Sequence, residues 1–119
     1  MHYRDLDVYQ RSYKLALEVH TVSKSIPREL QFDLGDQLRR ASRSIPANIA
    51  EGCARLKSFK DAVNFLRTAL GSNDETSFHV EFCRDAGLIK KDVADRLIEE
   101  YSITGKQLTK LIQSISSNE

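Results

Sequence analysis

Between residues 39 and 60 the chain places six basic side chains, Arg39, Arg40, Arg43, Arg55, Lys57 and Lys60, against a single acid, Glu51. Guanidinium groups pair bidentately with phosphate oxygens, so a solvated cluster of this kind is able to hold a nucleic-acid backbone. The flanking segments lean acidic, and the formal net charge of the whole is only +1. The cation excess is therefore a local feature, not a property of the whole chain. The same residues also fit a plainer role, as a solvated helix face balanced by acids elsewhere or as one side of salt bridges between subunits.

Other chemistry has less to stand on. Glu75, His79 and Cys83 follow one another at the i, i+4 spacing of one helix face, but ligands on one helix do not make a metal site. The Glu-x-x-His pattern that di-iron bundles take from two helices occurs nowhere. Gly-x-Ser-x-Gly elbows and glycine-rich phosphate loops are also missing from the sequence. The expectation is a non-enzyme with no metal and no cofactor. Cys53 and Cys83 lie inside helical patterns and are expected to be reduced, buried thiols.

The elements that carry these residues are all helical. The chain has 119 residues with five glycines and two prolines, punctuation too sparse for many short strands and enough length for one domain, 1–119. No apolar run approaches about 18 residues, and the N-terminal stretch lacks the apolar core of a signal peptide, so the expectation is a cytoplasmic protein without a membrane role.

A first helix is expected from near Asp5, as its cap, to before Pro27. It carries two apolar faces about 135° apart on an ideal wheel. Leu6, Tyr9, Tyr13, Ala16, Leu17 and His20 form one; Val8, Leu15, Val19, Val22 and Ile26 form the other. One face can enter a core and the other needs a different partner. Val8, Leu15, Val19 and Val22 are assigned to an oligomer interface, together with Phe78 and Phe82, which point away from the stripe of the third helix.

Pro27 opens a short turn, and Asp33 is the expected cap of a second helix ending near Ala54. Proline at position 46 should break or kink that helix, at about 3 kcal/mol in an ordinary interior. The apolar positions Leu34, Leu38, Ala41, Ile45, Ile49 and Gly52 keep one phase across it. One kinked helix is therefore expected, with the hydroxyl of Ser42 or Ser44 as local partner for the freed Ser42 carbonyl.

The third helix should begin at Ser58 with Asp61 completing an acidic capping box, and end at Gly87. Its stripe is Phe59, Ala62, Val63, Leu66, Ala69, Leu70, Asn73, Ser77 and Val80, in which a buried Asn73 must find partners. The fourth, Lys91 to Ser116, repeats Leu97, Tyr101, Thr104, Leu108, Leu111 and Ile115 by fours and threes, a coiled-coil-like seam. Short connections make the expected fold all-α, an antiparallel up-down-up-down four-helix bundle.

The segment Gln37-Leu38-Arg39-Arg40-Ala41-Ser42-Arg43-Ser44-Ile45-Pro46-Ala47-Asn48-Ile49-Ala50-Glu51-Gly52 resembles the hallmark of the four-helix-bundle family encoded in intervening sequences of bacterial 23S ribosomal RNA genes. Weaker echoes lie at Asp5-Leu6, Val8-Tyr9-Gln10, Phe65-Leu66 and Gly71-Ser72 with Glu75, and Asn73 departs where the family usually carries leucine. The resemblance implies a bacterial cytoplasmic protein of uncharacterised function, without known enzymatic activity, forming a homopentameric ring. It extends distantly to the accessory protein of diversity-generating retroelements, which looks like a basic bundle working with nucleic acid.

Two functional readings follow. In the first, a homo-oligomeric bundle contacts RNA or DNA phosphate through Arg39, Arg40, Arg43, Arg55, Lys57 and Lys60. In the second, the ring is an interaction scaffold that presents its surface to a protein partner. Asn48 and Glu51 read best as structural, Glu51 reaching Arg55 at i+4.

Overall fold

The computed structural model describes residues 2–118; Met1 and Glu119, the two ends of the expected domain, lie outside them. Four long helices make up the chain: α1 (Asp7–Val22), α2 (Asp36–Ala54), α3 (Phe59–Asp85) and α4 (Lys91–Ser116). The described residues contain no strand. A 3₁₀ turn at Tyr3–Asp5 precedes α1, and the connection to α2 is built from 3₁₀ turns at Ser23–Ser25 and Arg28–Leu30 and a π-helical turn at Gln31–Gly35. At about 1.5 Å per residue, the 27 residues of α3 account for most of the 46 Å long axis.

Each helix contributes its apolar stripe to a shared core. Leu38, Ile45 and Ile49 of α2, Ala62, Leu66, Ala69 and Val80 of α3, and Leu97, Tyr101 and Leu108 of α4 are fully buried. The seam expected on α4 is thus the one the core uses, with Leu111 partly buried beyond it. α2 packs on α1 and α3, and α4 on α3 and α1. Arg11 to Glu100 at 2.6 Å, Gln107 to Asp7 at 2.7 Å and the Arg96–Glu18 pair tie α1 to α4.

The faces of α1 are the reverse of the sequence expectation. Val8, Leu15 and Val19 are buried in the chain's own core and Val22 is packed against it, so these four are not an oligomer surface. Tyr13 and Leu17, on the other face, are 46% and 58% exposed. The face made of valine, leucine and isoleucine fills the interior, and the face that carries Tyr9 and Tyr13 lies toward the surface.

Helix ends follow their local chemistry where that chemistry is strong. The Ser58 hydroxyl accepts from the Asp61 N–H at 3.3 Å, as the capping box requires. At the other end of α3, Gly87 adopts φ +76°, with bonds from the Leu88 N–H to the Cys83 carbonyl and the Gly87 N–H to the Arg84 carbonyl, a Schellman motif. Two expected caps are not used. Asp5 sits in the 3₁₀ turn and Leu6 precedes α1 without a side-chain cap. Asp33 lies within the π-helical turn that runs directly into α2, where its carboxylate accepts from Gln37 at 3.0 Å. A helix entered from another helical turn has backbone carbonyls upstream for its first N–H groups and needs no side-chain cap.

α2 is one helix through Pro46, whose ring is buried on the side facing α1. Among the described residues, neither serine hydroxyl goes to the Ser42 carbonyl. Ser42 Oγ donates to the Arg39 carbonyl at 2.9 Å, and Ser44 Oγ accepts from Ser72 Oγ at 2.8 Å, an α2–α3 tie. Asn73 finds the partners it needs: its amide donates to the Tyr101 carbonyl at 2.8 Å and its oxygen accepts from the Thr104 hydroxyl.

α2 and α3 approach closely at Gly52, where an added Cβ would lie 3.1 Å from both the Ala62 carbonyl oxygen and Leu66 Cγ. Gly52→Ala should therefore lose about 1–3 kcal/mol to overpacking, more than the gain of about 1 kcal/mol in helix propensity. At Gly71 an added Cβ meets nothing within 4 Å, so Gly71→Ala should stabilise by about 0.5–1 kcal/mol. Urea denaturation of the two variants beside the native chain measures both, with midpoints expected to move in opposite directions.

Candidate nucleic-acid interface and the adjoining aromatic groove

The six basic residues separate into three environments. Arg39 does not belong to a solvated patch, because its side chain is only 16% exposed and its guanidinium is occupied within the chain. Nη1 donates to Ser23 Oγ at 3.0 Å and to Gln31 Oε1 at 2.9 Å; Nη2 donates to the Gln31 carbonyl at 2.9 Å and to Asp36 Oδ1 at 3.3 Å. Gln31 in turn donates to the carbonyls of Ser23 and Ile26 at 2.9 and 2.6 Å. Arg39 is a clasp that holds the α1–α2 connection onto α2, a correction to its sequence-based assignment as a phosphate ligand.

Arg40 and Arg43 remain exposed on the outer face of α2. Arg55, Lys57 and Lys60 are exposed where α2 turns into α3. Twelve helical residues, or about 18 Å of axis, separate Arg43 from Arg55, so α2 does not gather the cations into one contiguous patch. Arg55 pairs with Glu51 at 3.3 Å, as its i+4 spacing predicts, and its guanidinium lies 5.3 Å from the centroid of the Phe65 ring. Among the described residues Arg40, Arg43, Lys57 and Lys60 enter no ion pair.

Asn48, in mid-signature, donates to the Ser44 carbonyl at 2.8 Å and to Ser44 Oγ at 2.9 Å, and through Ser44 it is linked to Ser72 of α3. His79 and Glu75 pair at 3.3 Å, while Cys83 faces the core. Both cysteines are free and buried, and burial pushes both thiols up, away from the reactive thiolate.

A feature that the sequence reading did not place is a groove of about 460 Å³ between α1 and α2. Pro46, Ala47 and Ala50 of α2 line one side, and Tyr9, Tyr13, Ala16 and Leu17 of α1 the other. Tyr3, Tyr9 and Tyr13 form a run of rings with centroids 4.8 and 5.9 Å apart. His20 and Arg43 stand among the lining residues as its polar members. The signal for it lay in the small residues after Pro46, which leave room beside the tyrosine face of α1. On α3, Phe78 and Phe82 are 59% and 47% exposed, as their position off the stripe predicts.

Four long helices around one apolar core, with a Ser-Ile-Pro-x-Asn-Ile-Ala-Glu-Gly segment threaded through the second, define a small all-α four-helix protein. The chain belongs to the 23S rRNA-intervening sequence protein family, whose model matches residues 4–110. It is similar to the crystal structure of a protein of unknown function from the S23 ribosomal protein family of Bacteroides thetaiotaomicron. The TM-score is 0.80 and the identity 24%, over 88% of this chain and 97% of that one, a likeness of fold. No curated protein matches the chain.

If Arg39 is a clasp, its loss should register in stability. Arg39→Ala is expected to cost about 2 kcal/mol, since it leaves Gln31 Oε1 without its donor and removes the charge-assisted bonds to Ser23 and the Gln31 carbonyl. Arg40→Ala, on the exposed face, should stay within about 0.5 kcal/mol of the native chain. Urea midpoints at constant slope read the difference.

Proposed function

We propose that this chain is a non-enzymatic, cytoplasmic, homo-oligomeric binding protein that contacts the phosphate backbone of RNA or DNA without strong sequence reading. The observation that carries the reading is the exposure of Arg40, Arg43, Lys57 and Lys60 free of ion pairs with the described residues, with Arg55, at the connection that carries Lys57, held by one acid. Lysine and arginine left in water without counter-charges bind polyanions by releasing condensed counterions.

The architecture that goes with this reading is a single-domain, antiparallel up-down-up-down bundle kinked at Pro46, closed into a ring with five subunits as the favoured number. Support for the antiparallel order comes from pairs along α2 and α3, in which Gly52 meets Leu66 and Ser44 meets Ser72. The kink is supported by the donor that proline lacks. A ring repeats the cations around an axis, so weak single-chain attraction is multiplied through effective concentration.

A second reading makes the same assembly a scaffold for a protein partner, with no nucleic-acid role. It is supported by Tyr13, Leu17, Phe78 and Phe82, a large apolar exposure for so small a chain. Pull-down from the native host separates the two, because partners of a scaffold survive nuclease.

The test of the first reading is fluorescence anisotropy with labelled RNA and DNA, single- and double-stranded, between about 50 and 200 mM salt. Affinity is expected to fall with a negative log–log slope. Arg40→Ala with Lys57→Ala and Lys60→Ala should flatten that slope by about one unit for each phosphate-binding side chain removed. A salt-independent affinity, or a triple variant indistinguishable from the native chain, overturns it.

A further inference from the structure

Two exposed apolar patches lie on different helices of the chain, and they differ in sign of charge. On α3, Phe78 and Phe82 stand one turn apart with ring centroids 6.4 Å from each other, flanked by Glu81 and Asp85 around a shallow hollow of about 320 Å³. Asp85 already pairs with Arg84 at 2.9 Å, whereas Glu81 is exposed and enters no ion pair among the described residues. Between α1 and α2, the groove of about 460 Å³ is apolar along Tyr13, Leu17, Pro46 and Ala47 and carries the cation Arg43, with His20 close by. One patch is an exposed aromatic pair beside a free acid, and the other an apolar groove beside a free base.

We infer that the two patches are complementary halves of one contact between copies of this chain: Phe78 and Phe82 of one copy seat in the Tyr13–Leu17–Pro46–Ala47 groove of the next, with Glu81 meeting Arg43. The proposal rests on the self-association reading given above and names the surfaces that such association uses. Charge favours a second copy as occupant, since Glu81 on one patch and Arg43 on the other each lack a partner among the described residues. Aromatic side chains fill apolar recesses at interface centres, and an acid on one side facing a base on the other sets orientation and disfavours the wrong pairing.

Because the patches are different surfaces, the contact is heterologous. Each copy offers one groove and one aromatic pair, so association continues head to tail until rotation closes it into a ring. A surface that met itself across a two-fold axis would instead bring Glu81 toward Glu81, or Arg43 toward Arg43. Neither arrangement neutralises the charge. Arg43 in this arrangement is a subunit contact, which leaves Arg40 and the Arg55, Lys57 and Lys60 group for phosphate.

The heterologous geometry gives a test that other interfaces do not pass. An aromatic-pair variant, Phe78→Ser with Phe82→Ser, keeps an intact groove; a groove variant, Leu17→Glu with Ala47→Glu, keeps an intact aromatic pair. All four positions are exposed, and circular dichroism checks that helicity is retained. By light scattering the native chain is expected to exceed its 13.5 kDa monomer mass, each variant alone to be monomeric at the same concentration, and their mixture to form a one-to-one dimer that grows no further. Should either double variant lose helicity, Arg43→Glu and Glu81→Arg provide the second measurement. Each alone is expected to raise the half-assembly concentration by at least about tenfold, and the two in one chain to restore it.

A native chain that is monomeric throughout overturns both the self-association reading and this pairing. A native oligomer whose variants stay assembled, whose mixture forms no dimer, or whose charge-swapped pair shows no restoration overturns the pairing alone. A groove variant that assembles like the native chain but no longer binds RNA or a protein partner assigns the groove to that occupant and likewise overturns it.

Discussion

The partly buried guanidinium of Arg39 is the constraint on which much of the remaining arrangement depends. A partly desolvated cation must be met by acceptors, and here they come from the end of α1, the π-helical turn and the start of α2. Ser23 and Gln31 are eight residues apart in sequence, and both are drawn to one side chain. That convergence fixes how the chain leaves α1 and enters α2. It also helps set which face of α1 turns inward, because Ser23 is buried at the end of the Val8–Leu15–Val19 stripe. The tyrosine face is left outside, and the groove against Pro46 and Ala47 is the result.

Much of the fold was legible in the sequence because its determinants are local. Ser58 with Asp61, and Gly87 with Leu88, act within a few residues of the ends they define, so both ends of α3 could be read directly. The seam of α4 was legible because a strict repeat leaves one face to bury. Continuity through Pro46 was legible because the apolar phase is indifferent to which single donor is missing. α1 was not decidable in the same way. With two apolar faces, the choice between them belongs to the shape of α2 and α4, which no window along α1 contains. Arg39 was misread for a related reason. A helical wheel places it away from the stripe, but the acceptors that bury it arrive from a connection folding back over the helix. Asn73 lies between these cases: its need for partners was evident, yet Tyr101 and Thr104 were not identifiable from α3 alone.

The family signature divides along the same line. Arg39, Ser44, Pro46, Asn48 and Gly52 are accounted for by packing and hydrogen bonding inside one chain. A segment this specific need not be a binding motif, since a close helix approach, a proline inside a helix and a buried arginine each tolerate few replacements. Gln37, Arg40, Arg43, Ala47 and Glu51 are the members that face outward. Whatever the segment does beyond folding must pass through these few positions, of which Arg43 and Ala47 line the groove.

Arg43 then stands between two demands, since a guanidinium committed to a neighbouring carboxylate is not free for phosphate. The cations at the α2–α3 connection face no such conflict. Arg55 lies about 18 Å along α2 from Arg43, past Ala50 at the end of the groove, with Lys57 and Lys60 following in the connection and the first turn of α3. In any closed cyclic assembly, equivalent points of all copies lie at one height along the axis, so the connections would form a single circle of positive charge. Phosphates spaced along a strand could then be met by successive subunits, each contact weak and the sum governed by effective concentration. The basic segment that looked like one site in the sequence is thus divided by the fold into a clasp at Arg39, two exposed arginines, Arg40 and Arg43, on α2, and a second exposed group at the α2–α3 connection, and the proposed assembly and polyanion binding would draw on different members of it.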